Sequence, residues 1–329
     1  MHLRSLSQSR LALGSDVVLT LVTDAADADV DKIFVNLWHQ VYLFERRFSR
    51  FLPMSELTSL NRAGGVKFKV TAEFKDLLIC AKSIGLKTNG LYNPFITPAL
   101  QRAGYVQSAV PGYENDKQID YTDRLVVGVE KIEIGEDWAQ IPYKTALDLG
   151  GCGKGYLADE LGRFLKKQPK IVGFWLSLGG DILTYGYDEN GRRMSVDIQS
   201  AVTINYTTDW VIDCSGDDYA VATSGTFRRS SQVSALAWHH IIDPLTLVSA
   251  KTDIKLATVC ARTAFEADVL ASCAVILGSK KAIPLLKQNG VKAAFLQCID
   301  ADGNCFEKKF GANIHKKVDY KPREMFARA

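Results

Sequence analysis

Apolar positions recur along this chain in two periods, and the switches between them mark its elements. Asp16-Val-Val-Leu-Thr-Leu-Val-Thr23 predicts a first strand. The period then becomes helical over roughly 30–48, with Phe34, Leu37, Val41 and Leu43-Phe44 on one face. A short helical period follows the capping residue Ser55 through Asn61, Val66–Val70 alternates as a strand, and 71–88 predicts a second amphipathic helix. Gly90–Pro98, with a glycine and two prolines, predicts an ordered loop. Residues 103–123 are polar and irregular, and Arg124–Val129 with Lys131–Gly135 predicts a hairpin.

Further on, Ala146-Leu-Asp-Leu-Gly-Gly-Cys-Gly-Lys-Gly-Tyr156 runs from a strand-like segment through four glycines. A helix from Tyr156 follows, with Leu157, Leu161 and Leu165 on one face. Ile171–Leu178 and Ile182–Tyr185 read as strands around a Gly179-Gly180-Asp181 turn, and Met194–Ile198 and Trp210–Cys214 continue the β run. Ala220–Gly225 enters a polar turn, Trp238–Pro244 reads as one strand, and 264–278 and 282–288 read as helices. Ala293–Cys298 is the last predicted strand, before a basic, polar tail. Strands and helices mix without strict βα alternation, which favours α+β over a doubly wound parallel sheet.

Hydrophobic residues make up 47% of 329, enough for a substantial core. The net charge of +3 gives no reason to expect nucleic acid or a membrane surface as partner. The seven cysteines form no C-x-x-C and lie mostly in apolar contexts, which suits reduced, buried thiols. No run approaches the ~18 apolar residues of a membrane span. Leu11–Asp16 is too short and broken for a signal core, and no early cysteine offers a lipid anchor. The expectation is a cytoplasmic protein, with an organellar presequence left open.

The glycine stretch carries the first candidate chemistry. Helix-start amides at Gly150, Gly151 and Gly153, with Lys154 among them, suit a phosphate, although G-x-x-x-x-G-K-[ST] spacing is absent. A plain tight turn would look the same. Asp268 and Ser272 lie one helical turn apart and suit an oxygen-coordinated Mg²⁺, or an ordinary packing pair. His240, at a strand end beside Asp243-Pro244, suits a base or a structural histidine; in a regular strand His239 faces the other way. Thr223-Ser224-Gly225-Thr226 with Arg228 and Arg229 suits phosphate or a solvated hairpin turn, and Asp181 suits a turn cap. Arg50 and Phe51 read as core and surface between two helices.

Taken in order, these pieces resemble the FAD:protein FMN transferase (ApbE-type) family. The matching segments are Ser49-Arg-Phe51 with Ser55–Asn61, Gly90-Leu-Tyr-Asn-Pro94, Asp148–Gly155, Gly179–Asp181, Ala222–Gly225, His240–Pro244 and Ala267–Ser272. The resemblance implies duplicated α/β subdomains similar to the tunnelling fold, with antiparallel sheets flanked by helices. One transferase domain of two intertwined subdomains would cover 1–310, and 311–329 would be a weakly ordered tail. It also implies Mg²⁺-dependent transfer of FMN from FAD to a Thr or Ser hydroxyl of an acceptor flavoprotein, releasing AMP. Asp268, Ser272 and the Gly153 carbonyl would hold the metal. Phe51, Asp148, Gly150, Gly151, Lys154, Gly179, Asp181, Thr223, Ser224, Gly225 and His240 would line FAD. His240 would accept the hydroxyl proton, with Asp148 and Asp243 orienting loop and histidine or serving as base. Six positions depart from the pattern: Asn93 for aspartate, Ser177 for asparagine, Leu247 for glycine, Met194 for tryptophan, Ser272 for threonine, which keeps the hydroxyl, and Gly153 for alanine, which keeps the carbonyl. Two alternatives use the same residues, an FAD pyrophosphatase giving FMN and AMP, and a non-catalytic FAD-binding protein.

Overall fold

A computed structural model describes residues 2–105, 126–203, 206–214, 219–226, 230–231 and 238–317. Arg228, Arg229, the first two residues of the expected 124–135 hairpin, Arg124 and Leu125, and the tail beyond 317 lie outside these described residues.

The long helices form where the apolar period places them. Helix α1 spans Asp27–Phe48 and buries Phe34, Leu37, Val41, Phe44 and Phe48, with Asp27 and Asp29 at its positive end. Helix α2, Glu56–Arg62, starts at Ser55, whose hydroxyl accepts the Thr58 N–H at 3.0 Å. Helix α3 is Ala72–Lys87, capped by Thr71, and a short α4, Thr97–Arg102, follows the proline loop. Helix α5 is Gly153–Lys166, α6 is Ala264–Leu277 and α7 is Ser279–Gln288.

The strands divide into two principal sheets. Those of the large sheet are β1 Arg4–Ala12, β2 Ser15–Thr23, β3 Ile171–Leu178, β4 Asp181–Gly186, β7 Tyr219–Gly225, β8 Ile254–Ala261, β9 Ala293–Ile299 and β10 Cys305–Phe310. Their order is β1-β2-β3-β4-β7-β8-β9-β10, antiparallel throughout. A smaller sheet holds β5 Met194–Gln199, β6 Thr207–Cys214 and β11 Ile314–Lys316, in the order β11-β6-β5. The large sheet is therefore a middle layer. Helices α1, α5 and α6 bury a core on one face with Leu19, Leu21, Phe174, Leu176, Ala222 and Ala257. On the other face Val22, Val221, Cys260 and Phe295 pack with Val196, Ile198 and Ile212 of the small sheet. Antiparallel sheets with helices on one side make an α+β fold, as expected.

Several boundaries differ from the sequence reading. The polar N-terminus is not a loose end: β1 pairs along its full length with β2. Ile254–Ala261, not anticipated, is a strand inside the large sheet, and Cys305–Phe310 and Ile314–Lys316 carry β structure past 303 and into the expected tail. The hairpin lies later than expected, between Glu133–Ile134 and Trp138–Gln140, after a 3-10 turn at Val129–Lys131. Trp238–Pro244 is broken into Trp238–His239 and Ile242–Asp243, which pair with different partners. The alternation expected for His239 and His240 does not carry across that break.

Candidate active site

The glycine stretch packs against α6, and that joint builds the site. Helix α5 begins three residues earlier than the leucine period indicates, at Gly153, so Lys154 and Gly155 lie in its first turn. Gly155 lets α5 approach closely, because a Cβ there would lie 2.4 Å from the Ala264 carbonyl oxygen. Asp159, on the next turn, accepts the Ala264 and Phe265 N–H groups at 2.8 and 3.0 Å and so caps α6. Two helix starts thus meet, and the residue one turn into α6 is Asp268.

Asp268 is buried, and its Oδ2 accepts the Gly155 N–H at 3.3 Å. The Lys154 ammonium lies 4.0 Å from that oxygen and 3.3 Å from Oδ2 of Asp181, also buried. Asp181 therefore faces the lysine. The tight Gly179-Gly180 turn, with φ of 71° and 97°, brings the chain to within 3.2 Å of the lysine's Cε, measured from where a Gly179 Cβ would stand. Two buried carboxylates facing one ammonium leave a net negative charge, a setting that attracts a cation. Ser272 Oγ, one turn after Asp268, is 2.9 Å from Ser224 Oγ on β7.

The glycine loop is fixed from below. Leu147 exchanges two hydrogen bonds with the Asn61 side chain, at 2.9 and 3.0 Å, and the Asp148 N–H donates to the Pro94 carbonyl at 2.8 Å. Asp148 Oδ1 accepts the Gly150 N–H at 2.7 Å, and its other oxygen is ion-paired with buried Arg50. Gly150 and Gly151 are exposed, as a ligand-facing loop requires. Beneath them the Tyr92 hydroxyl donates to Cys152 Sγ at 2.9 Å. Burial, reinforced by Cys152, Asp148 and Asp268, pushes the Tyr92 phenol well up, and burial likewise pushes the Cys152 thiol up. Both stay protonated at neutral pH, so neither is a ready nucleophile.

Other candidates fall outside this cluster or change role. Thr223 and Ser224 project from opposite faces of β7: Ser224 reaches α6, whereas Thr223 Oγ1 is 3.0 Å from Thr258 Oγ1 on the neighbouring strand. The two hydroxyls expected along one ligand thus stand on opposite faces of the strand, and Ser224 is the one on the side of α6. Asp243 Oδ1 accepts the Leu245 N–H at 2.9 Å and shapes its own turn, in which Leu247 takes a φ of 56° that glycine would adopt freely. Asp243 therefore folds the turn rather than orienting a histidine. His239 Nε2 lies 3.1 Å from the Ala250 carbonyl, and burial lowers its pKa. His240 stands half-buried at the break before Ile242–Asp243. Phe51 is half-buried beside Tyr105, ring centroids 5.7 Å apart. Sequence reasoning placed Arg50 in the core without its Asp148 partner and missed the Lys154–Asp181 pair.

Among the described residues, no group of three or more His, Cys, Asp or Glu is placed to hold a metal. The implied magnesium does not need one, because Mg²⁺ takes few protein oxygens and completes its shell with water and phosphate. Asp268, Ser272 and the Gly153 carbonyl are all oxygen donors, and the lysine beside Asp268 already marks the place as cation-seeking. The donor set fits.

The ApbE family model matches residues 13–295. The chain belongs to the ApbE family. Relatives named FAD:protein FMN transferase, a transferase activity, come from Klebsiella pneumoniae, 25% identical over 80% of this chain and 77% of the relative, and from Treponema pallidum, 25% identical over 90% and 85%. The solved flavin transferase ApbE from Vibrio cholerae superposes with a TM-score of 0.77 at 21% identity, covering 94% of this chain and 98% of that one. The Pseudomonas stutzeri flavinyl transferase ApbE gives 0.77 at 17% identity, covering 94% and 95%. The ApbE match spans the Asp148–Gly155, Gly179–Asp181 and Ala267–Ser272 segments that meet in the cluster. No helix among the described residues is long and apolar enough to cross a membrane.

Proposed function

We propose that this ApbE protein transfers FMN from FAD to a Thr or Ser hydroxyl of an acceptor protein, releasing AMP, with Mg²⁺ held by Asp268, Ser272 and the Gly153 carbonyl. The observation that carries the reading is the Lys154–Asp181–Asp268 cluster at the start of α5, half-buried at the lysine and buried at both carboxylates. A helix start with an adjacent lysine suits a pyrophosphate, and the carboxylates suit a divalent cation.

The acceptor oxygen forms a bond to the FMN phosphorus, and the bond from that phosphorus to the bridging oxygen breaks. AMP leaves with that oxygen, and the hydroxyl proton passes to a base. The bound cation would supply Lewis-acid polarisation of the pyrophosphate. Lys154 and the N–H of exposed Gly151 stabilise charge building on the phosphoryl oxygens, while the Gly150 N–H is held by Asp148. Ser224 holds Ser272 in its rotamer through their shared hydrogen bond. The Asp159 cap and the Gly155 approach hold α6 against α5, so Asp268 and Lys154 keep their separation. His240 accepts the acceptor's proton. The protein acts in the cytoplasm on an acceptor flavoprotein.

Incubation with FAD, Mg²⁺ and an acceptor bearing a flavinylation-type Thr, read by intact mass, tests this. Acceptor heavier by one FMN unit, lost on chelation and in Asp268→Ala, is expected. Free FMN with unmodified acceptor would instead make the protein a pyrophosphatase.

A further inference from the structure

Arg50 is used by neither the metal site nor the proton transfer, yet it lies at the centre of a connected set of contacts. It is buried near the start of the α1–α2 connection, two residues after α1 ends. Its guanidinium pairs with Asp148 and donates to the Tyr105 carbonyl at 2.8 Å. Its carbon stands 4.1 Å from the Phe51 ring centroid and 4.9 Å from that of Tyr105. The second Asp148 oxygen accepts the Gly150 N–H at 2.7 Å. One planar cation thus touches the aromatic ring on one side and, through a single carboxylate, the glycine loop on the other.

Resting on the FAD reading above, we propose that Arg50 is a positioning residue. It sets the distance between Phe51, at the nucleotide, and the loop amides, at the pyrophosphate. Asp148 is its strut. Each carboxylate oxygen already has a fixed partner, so Asp148 transmits position from the arginine to the loop. A lysine would not replace the arginine: it keeps the charge but lacks the planar fork that stacks on Phe51 while bonding in two directions. Removing the guanidinium leaves the Asp148 charge buried without its partner and frees the loop.

The test compares parent, Arg50→Lys, Arg50→Ala and Asp148→Asn for FAD binding by flavin fluorescence and for transfer kinetics. Both Arg50 variants are expected to weaken FAD binding about tenfold or more, with KM rising further than kcat falls. Millimolar guanidinium is expected to restore Arg50→Ala and not Arg50→Lys. Asp148→Asn is expected to lose activity without changing the shape of the pH–rate profile. If Arg50→Ala does not fold, Arg50→Lys carries the comparison. FAD affinity in folded Arg50 variants equal to the parent's overturns the proposal, as does loss of the acid limb in Asp148→Asn. A parent that binds no FAD overturns the functional reading itself.

Discussion

Gly155→Ala probes the α5–α6 joint with a single methyl group. The added Cβ would stand 2.4 Å from the Ala264 carbonyl oxygen, 2.7 Å from its carbon and 2.8 Å from the Phe265 Cα. All three are backbone atoms of the α6 start, so no side chain can turn away. Reaching ordinary contact at 3.4 Å requires the helices to part by about 1 Å. Overpacking of this kind costs about 1–3 kcal/mol, and the helix preference of alanine over glycine returns roughly 0.8–1 kcal/mol at most. The net expectation is a loss of up to about 2 kcal/mol, read by denaturant unfolding. The same movement lengthens the 3.3 Å Gly155 N–H contact to Asp268, so transfer falls more than stability alone explains. Gly162→Ala is the control on the same helix: its Cβ meets Leu183 Cδ2 at 2.6 Å, the end of a side chain that can rotate. The reasoning is refuted if Gly155→Ala matches the parent in stability and rate, or if Gly162→Ala is the more damaging change.

Asn93→Asp restores the carboxylate usual in the family and is expected to destabilise, not improve, the protein. Asn93 Nδ2 donates to the Val127 carbonyl at 2.7 Å, a contact an aspartate would turn into two facing acceptors costing about 1–3 kcal/mol; an unchanged melting temperature would contradict it. Burial raises the Glu45 pKa from 4.5, so the folded state binds more protons than the unfolded one, and stability is lost as pH rises above about 4.5. Glu45→Gln should therefore melt higher than the parent at pH 7, the gap closing toward pH 4. Alkylation of the native protein at pH 8, read by peptide mass, should modify exposed Cys305 and spare Cys214 and Cys273, whose pKa burial raises to about 12.

Legibility followed how local each feature's cause is. Helices α1 and α3 were readable because their apolar faces repeat over several turns, α6 because an apolar run of that length is too long for a strand, and α2 because Ser55 supplies its own cap. Strand β1 was not readable, since an edge strand with one face in solvent needs few apolar residues, and in Arg4–Ala12 only Leu6, Leu11 and Ala12 are apolar and they do not alternate. Ile254–Ala261 runs apolar without alternation, because sheet neighbours and layers on both faces bury it, so its period gave no sign of strand. Helix α5 starts early because α6 supports it; glycines at 153 and 155 carry no local helix preference. Asp268, Ser272 and Lys154 could be named from their motifs. Their meeting with Asp181 depends on the tight turn between β3 and β4, a tertiary fact with no signal at either residue.

The central claim is that a divalent cation and the FAD pyrophosphate meet between the start of α5 and Asp268. Crystals grown with FAD and Mn²⁺ in place of Mg²⁺, measured for anomalous scattering, test it most directly. The account predicts one peak within about 2.0–2.3 Å of Asp268, Ser272 and the Gly153 carbonyl, touching pyrophosphate oxygens, with Lys154 on the phosphates. A peak elsewhere, or FAD bound with its pyrophosphate away from Lys154, would contradict it.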